Sequence, residues 1–276
     1  MIRDERGLGV LRERFGGVGS LVPTMGALHA GHRALIGRAV RERGAGGGGA
    51  VVVSVFVNPA QFDEASDFEA YPRALERDME LAGGWGGDAV FAPSVETVYP
   101  GWPGGPEIEQ GVDLPEVVVG KGLEDEYRPG HFAGVYRVCR RLFELVGPGC
   151  AVFGEKDWQQ LKLVEAMSDR EGLGVRVVGE PTVREGGDLR GLALSSRNVH
   201  LGPGDREAAL GLSRGIAAAR DVGRAGGSAA EAEAAARVVM ERSGARVEYA
   251  AVRDAMTCGA VVEGEPARVL VAARVG

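Results

Sequence analysis

Lysine is nearly missing from this chain: Lys121, Lys156 and Lys162 are the only three in 276 residues, and arginine carries the rest of the positive charge. Cysteine is scarce as well. Cys139, Cys150 and Cys258 are far apart and odd in number, with no C-x-x-C pair, which argues against a disulfide framework and against cysteine-based zinc modules. Basic residues number 32 against 39 acidic ones, a net charge of −7, so no electrostatic clamp for nucleic acid is expected. Long apolar runs are also lacking. The longest, Ala50 to Val57, contains Ser54 and is too short to cross a bilayer. The opening MIRDERGLGV has no apolar stretch of the kind that directs secretion. The expectation is a reduced, soluble, cytoplasmic protein with no membrane or nucleic-acid partner.

What is present is ordinary globular material: 45% hydrophobic and 26% charged residues, in a chain long enough for roughly two domains of about 150 residues. Glycine is abundant, 45 residues, and the run Gly46 to Gly49 reads as a flexible surface loop. Val18 to Thr24 reads as a strand, followed by a helix with Leu35, Ile36, Ala39 and Val40 on one side. Ala50 to Val57 is a β-branched run suited to a strand buried on both faces. A helix is expected from about Pro72, a strand at Ala89 to Phe91 and a loop over Tyr99 to Gly111. Further on, helices are expected at Val135 to Val146 and Asp157 to Asp169, and strands at Ala151 to Phe153 and Val175 to Val178. Strands alternating with helices imply a parallel sheet with helices on both faces. After Pro181 the texture changes to two alanine-rich helices, Arg206 to Arg220 and Ala229 to Arg242, and two strands, Val247 to Val252 and Arg268 to Ala272. The expected division is 1–182 and a smaller α+β domain, 183–276.

Four segments follow strand ends, where α/β sheets bind ligands. In Pro23-Thr24-Met25-Gly26-Ala27-Leu28-His29-Ala30-Gly31-His32, two histidines share the opening of a helix, where free N–H groups and imidazoles suit phosphate oxygens. The alternative is a pair of partly exposed histidines at a helix cap. In Val57-Asn58-Pro59-Ala60-Gln61, two amides suit the hydroxyl and carboxylate oxygens of a small polar substrate, or cap a turn. Asp78, in the helix after Tyr71-Pro72-Arg73, reads as part of a solvated face. Gly154-Glu155-Lys156-Asp157 opens a helix with a mobile cation for phosphates and an acid that suits ribose hydroxyls or simply the helix N-terminus, and Gln160 lies one turn on. Leu194-Ser195-Ser196-Arg197 sets hydroxyls beside a guanidinium, an anion-binding combination or a simple cap.

Taken together, PTMGALHAGH, VFVNPAQF, YPR, RPGHFAGV, FGEKDWQQL and LSSRN occur in the order and near-spacing of one family. The chain resembles the pantoate–beta-alanine ligases over about Leu21 to Leu201, and more weakly over Tyr249 to Thr257. The H-x-G-H and S-S-R segments look like variants of the signatures of class I aminoacyl-tRNA synthetases and nucleotidyltransferases. The resemblance implies a Rossmann-like parallel sheet of the H-x-G-H type with a smaller C-terminal domain covering the ATP site. It implies condensation of pantoate with β-alanine through pantoyl adenylate, using ATP and Mg2+ and releasing AMP and diphosphate, a step toward coenzyme A. It assigns Met25, Gly26, Ala27, Leu28, His29, Ala30, Gly31 and His32 to ATP, along with Gly154, Glu155, Lys156 and Asp157. Val183, Leu194, Ser195, Ser196 and Arg197 complete that set. His32 is the family's proton donor, with His29 and Lys156 assisting. Gln61, Gln160 and Asn58 would serve pantoate, Gln61 would also border β-alanine, and His131 would be architectural. No protein metal ligand is assigned, and a homodimer is implied.

Three departures from the family stand out. GGDLR follows Arg184-Glu185, about three residues longer than usual, with Arg190 where aspartate is common; these residues are expected to form an exposed flap. His200 replaces a usual tyrosine, and the sequence stops at Ala273-Arg274-Val275-Gly276. Two rival readings are a related nucleotidyltransferase, which has no reason to carry NPAQF with FGEKDWQQ, and a non-catalytic nucleotide-binding protein.

Overall fold

The computed structural model describes the chain except residues 46–47, 63–64, 106–107, 109–110 and 190. Part of the expected glycine loop and Arg190 therefore lie outside the described residues. Contacts divide the chain into two compact units, Met1–Val119 with Arg128–Pro181, and Gly120–Tyr127 with Thr182–Gly276.

The first unit is built on five parallel strands: β1 (Val18–Thr24), β2 (Ala50–Val55), β3 (Ala89–Phe91), β4 (Pro148–Gly154) and β5 (Arg176–Glu180). Their order is β3-β2-β1-β4-β5. The chain thus walks outward from β1 to β3, then returns to pair β4 with the other side of β1, as Ser20 opposite Cys150 and Leu21 opposite Ala151 show. That reversal opens a crevice past the ends of β1 and β4, where such sheets bind ligands. Neighbouring residues of each strand feed opposite layers. Leu21, Val52, Ala151 and Phe153 join Phe143, Leu161 and Met167 on one face. Val22, Val51, Val53 and Val152 join Ile36, Ala39 and Ala82 on the other.

The longer helices of this unit are α1 (Glu5–Phe15), α2 (Ala30–Ala45), α3 (Leu75–Gly84), α4 (His131–Val146) and α5 (Trp158–Arg170). α1 is absent from the sequence reading. Its signals are nonetheless present: the Asp4 carboxylate accepts the Gly7 N–H, Leu8 and Leu11 are buried, and Gly16 ends the helix in a left-handed conformation. The helix expected from Pro72 begins at Leu75, and the strand expected to reach Val57 stops at Val55. Among the described residues no helix is long and apolar enough to cross a membrane.

In the second unit, α6 (Pro203–Arg224) and α7 (Ala229–Arg242) pack on the antiparallel pair β6 (Arg246–Asp254) and β7 (Ala267–Arg274). Its core uses small side chains, Ala219, Ala232, Ala236 and Ala250, around Met240. Residues 120–127 depart from the single break expected near 182. The Tyr249 hydroxyl donates to Glu124 at 2.9 Å and its ring meets Tyr127, which fastens that short excursion to this unit. Residues 183–185 pair with residues 192–194 as in a small hairpin, with Leu194 N–H donating to Val183 C=O and Glu185 N–H to Leu192 C=O. Gly186, Gly187 and Asp188 sit exposed at its tip.

Candidate active site

Past β1, the chain turns through Met25 to His29 before α2 begins. Thr24 pins the turn from the strand end: its hydroxyl donates to Ser54 C=O at 2.7 Å and accepts the Gly26 N–H at 3.1 Å. Gly26 and Ala27 are both left-handed, with φ of 86° and 50°. Glycine adopts this region freely, and a Cβ at Gly26 would meet Asp78 Oδ2 at 2.9 Å. Alanine adopts it at a cost of about 1–2 kcal/mol.

Asp78 supplies the compensation. Its carboxylate is 1% exposed, and its oxygens accept the Ala27 N–H at 2.9 Å and the Leu28 N–H at 2.7 Å. The expected solvated face is thus a buried clamp. Glu76, Arg77 and Glu80 lie within two positions of it and give this stretch a charged look, so burial of this one acid is not legible from pattern.

The two histidines use the next donors. His29 N–H donates to His32 Nδ1 at 3.1 Å, and Gly31 N–H donates to His29 Nδ1 at 3.1 Å. The rings lie 4.1 Å apart between centroids. The expected row of free N–H groups is therefore corrected: Gly26, Ala27, Leu28, His29 and Gly31 all donate to protein atoms. An Nδ1 that accepts a hydrogen bond carries no proton, so each neutral ring is protonated at Nε2. Neither Nε2 has a partner among the described residues. Burial, then the neighbouring His29 and the Lys156 ammonium, push the His32 pKa down to about 3. Burial and Lys156 also lower that of His29. Lys156 Nζ lies 3.2 Å from Asp157 Oδ1, and both side chains are exposed. Among the described residues the exposed Lys156 ammonium thus lies near two neutral ring N–H donors.

Past β2, Asn58 makes every hydrogen bond its amide can make. Its Nδ2 donates to Gln61 Oε1 at 3.0 Å and Gly134 C=O at 3.1 Å. Its Oδ1 accepts from Ala60 N–H at 3.2 Å and from the Tyr99 hydroxyl at 3.0 Å. With 1% exposure, Asn58 positions Gln61 and has no group left for a small molecule. Gln61 Nε2 donates to Met25 Sδ at 3.0 Å, a weak acceptor that joins this turn to the one past β1. His131 is buried, with Nδ1 3.1 Å from Gln61 C=O, in keeping with the architectural role expected of it. Gly134 brings α4 against the same turn; a Cβ there would stand 2.2 Å from Ala60 O and 2.6 Å from Gln61 Cα. Tyr99, Gly134 and Asp78 are the supporting residues that sequence reasoning missed. Gln160, in the first turn of α5, is half-buried with no amide partner among the described residues.

In the second unit, Ser195 Oγ accepts the Arg197 N–H at 3.3 Å and caps the turn Ser196–His200. Arg197 is exposed.

A family profile described as pantoate–beta-alanine ligase matches residues 8–276. The chain belongs to this family. Similar curated proteins named pantothenate synthetase include one from Nocardioides, 48% identical over 93% of this chain and 75% of that protein. Another, from Rubrobacter xylanophilus, is 46% identical over 100% of this chain and 94% of its own length. The crystal structure of pantothenate synthetase from Thermus thermophilus matches with a TM-score of 0.86 at 42% identity, covering 99% of this chain and 94% of that one. That of the Francisella tularensis ligase, solved with an ATP analogue and β-alanine, matches with a TM-score of 0.72 at 30% identity, covering 91% and 88%.

For a pantoate–beta-alanine ligase, two outcomes follow from this geometry. Gly134→Ala forces α4 away from Gln61; with Gln61 serving pantoate, as family likeness implies, the KM for pantoate should rise at least about tenfold, as expected when such a group shifts by about 1 Å. Steady-state kinetics with pantoate varied would check it. Acid should also unfold the protein partly through His32. Its pKa is about 3 folded against 6.5 unfolded, so the unfolded chain binds more protons between those values. Stability falls as pH drops below 6.5 toward 3. His32→Gln should show a smaller drop in urea midpoint between pH 7 and pH 4.5 than the wild-type chain.

Proposed function

We infer that the crevice past β1 and β4 is where this chain joins pantoate to β-alanine at the expense of ATP. The observation that carries the reading is the pairing of two Nε2-protonated imidazoles with the Lys156 ammonium past the strand reversal. Together they meet the need of adenylation, which is positioning plus stabilisation of charge on phosphate oxygens.

In the first half-reaction a pantoate carboxylate oxygen attacks the α-phosphorus of ATP. The bond from that phosphorus to the bridging oxygen breaks, and diphosphate leaves. In the second, the β-alanine amine attacks the acyl carbon of pantoyl adenylate, the acyl–oxygen bond breaks, AMP leaves, and the amine releases a proton. His32 and His29 donate N–H hydrogen bonds to the triphosphate, and Lys156 places its charge on the same oxygens. Met25 to His32 and Gly154 to Asp157 surround the nucleotide. Val183 and Leu194 to Arg197 are assigned to it by family likeness. Gln61 and Gln160 hold pantoate by their amides, and Gln61 borders β-alanine.

Mg2+ is read as part of the substrate. Among the described residues no three or more His, Cys, Asp or Glu side chains form a metal-holding group, and both Asp78 oxygens are engaged by backbone N–H. Such an ion fits as the counter-ion that ATP brings with it, bound chiefly through phosphates and water. A homodimer and a cytoplasmic setting belong to the same reading, the first from family likeness and the second from the use of ATP.

An omission assay tests the reaction: AMP and diphosphate should form stoichiometrically with pantothenate only when pantoate, β-alanine and ATP are all present. Pantoate alone should support label exchange between diphosphate and ATP; normal synthesis without exchange would sink the two-step scheme. His32→Ala and Lys156→Ala should each lower turnover about a hundredfold, the usual order for one charge-stabilising donor. Near-normal turnover in a folded variant would remove that residue from the mechanism.

A further inference from the structure

The reaction needs His32 to present an N–H, yet histidine in water is free to protonate either nitrogen. What selects Nε2 is the His29 N–H arriving at His32 Nδ1 from 3.1 Å. That approach depends on the path of the backbone through Gly26 and Ala27, both in the left-handed region. Two consecutive residues there, one of them alanine, do not hold such a path unaided. The Asp78 carboxylate holds it with two charge-assisted bonds to the successive N–H groups of Ala27 and Leu28. No cation pairs with Asp78 among the described residues. Its charge is met by those two donors and by its place in the first turn of α3, where the helix dipole favours an acid.

We propose that Asp78 is the positioning residue of adenylation, fixing His32 as the Nε2–H tautomer by clamping the turn past β1. It acts on His32 through the backbone, its oxygens holding the Ala27 and Leu28 N–H groups and thereby the approach of the His29 N–H. A neutral asparagine cannot replace it: its oxygen would accept one N–H while its own NH2 faced the other. This proposal rests on His32 serving the nucleotide, as inferred above.

The test combines nitrogen NMR of 15N-histidine-labelled protein with partial-reaction kinetics. Wild-type His32 should show an unprotonated, accepting Nδ1 and a protonated Nε2 near pH 7. In Asp78→Asn the two nitrogens should shift toward a tautomer mixture. Pantoate-dependent diphosphate–ATP exchange should fall about tenfold or more, the scale of a misplaced reacting group. Reaction of supplied pantoyl adenylate with β-alanine should stay near the wild-type rate. Asp78→Ser, which leaves room for water to bridge the two donors, serves as the second variant. A folded Asp78→Asn with wild-type tautomer and exchange would overturn the proposal. So would an equal loss of both half-reactions, which marks a general structural role. Protonation of His32 at Nδ1 in the wild-type protein would overturn it whether or not either variant folds. If His32→Ala retains full exchange, the assignment of His32 fails, and the tautomer measurement still decides what Asp78 does.

Discussion

One buried carboxylate governs the path of the backbone past the end of the central strand. A parallel sheet delivers strand ends to one edge, but the backbone groups there have no ladder partners, and each must find an acceptor or face water. In this chain Asp78 takes two of those donors, Thr24 takes one and the two imidazoles take two more. The familiar use of a helix opening, bare N–H groups offered to an anion, is thereby largely given up. In the proposed reaction the donors that meet the anion become ring N–H groups, which sit farther from the backbone than main-chain donors and can change protonation state. The same economy operates past β2, where Asn58 is saturated so that Gln61 has a fixed place.

The sheet was legible because its signals are local. Ala50 to Val55 is buried on both faces, and the β-branched run that says so needs no knowledge of its neighbours. The motifs past strand ends were legible for the same reason, since position after a strand is a property of the chain alone. Asp78 was not legible, because its partners lie 50 and 51 residues away and Glu76, Arg77 and Glu80 surround it with charge in sequence. The segment 120–127 was likewise hidden: its attachment to the second unit depends on Tyr249, more than a hundred residues on. Asn58 was legible as an amide past a strand, but its saturation by Tyr99 and Gly134 is a tertiary fact that no local pattern carries. Only α1 was missed despite adequate local signals, in Asp4, Leu8, Leu11 and Gly16.

Charge in the site follows from these bonds. Lys156 and two protonated imidazoles would place three cations together, each disfavouring the others. Burial and that repulsion keep His32 neutral far below its ordinary range, which leaves the positive charge beside the two rings to Lys156. A triphosphate reverses the balance, since an anion in contact with an imidazole favours its charged form. The Nδ1 of His32 cannot accept that proton without losing the His29 N–H, and the His29 N–H cannot move while Asp78 holds Ala27 and Leu28. Protonation is therefore opposed by the backbone clamp as well as by desolvation. The donor that meets the phosphates in the proposed reaction is a neutral N–H, stabilising negative charge through a hydrogen bond and leaving the full positive charge to Lys156.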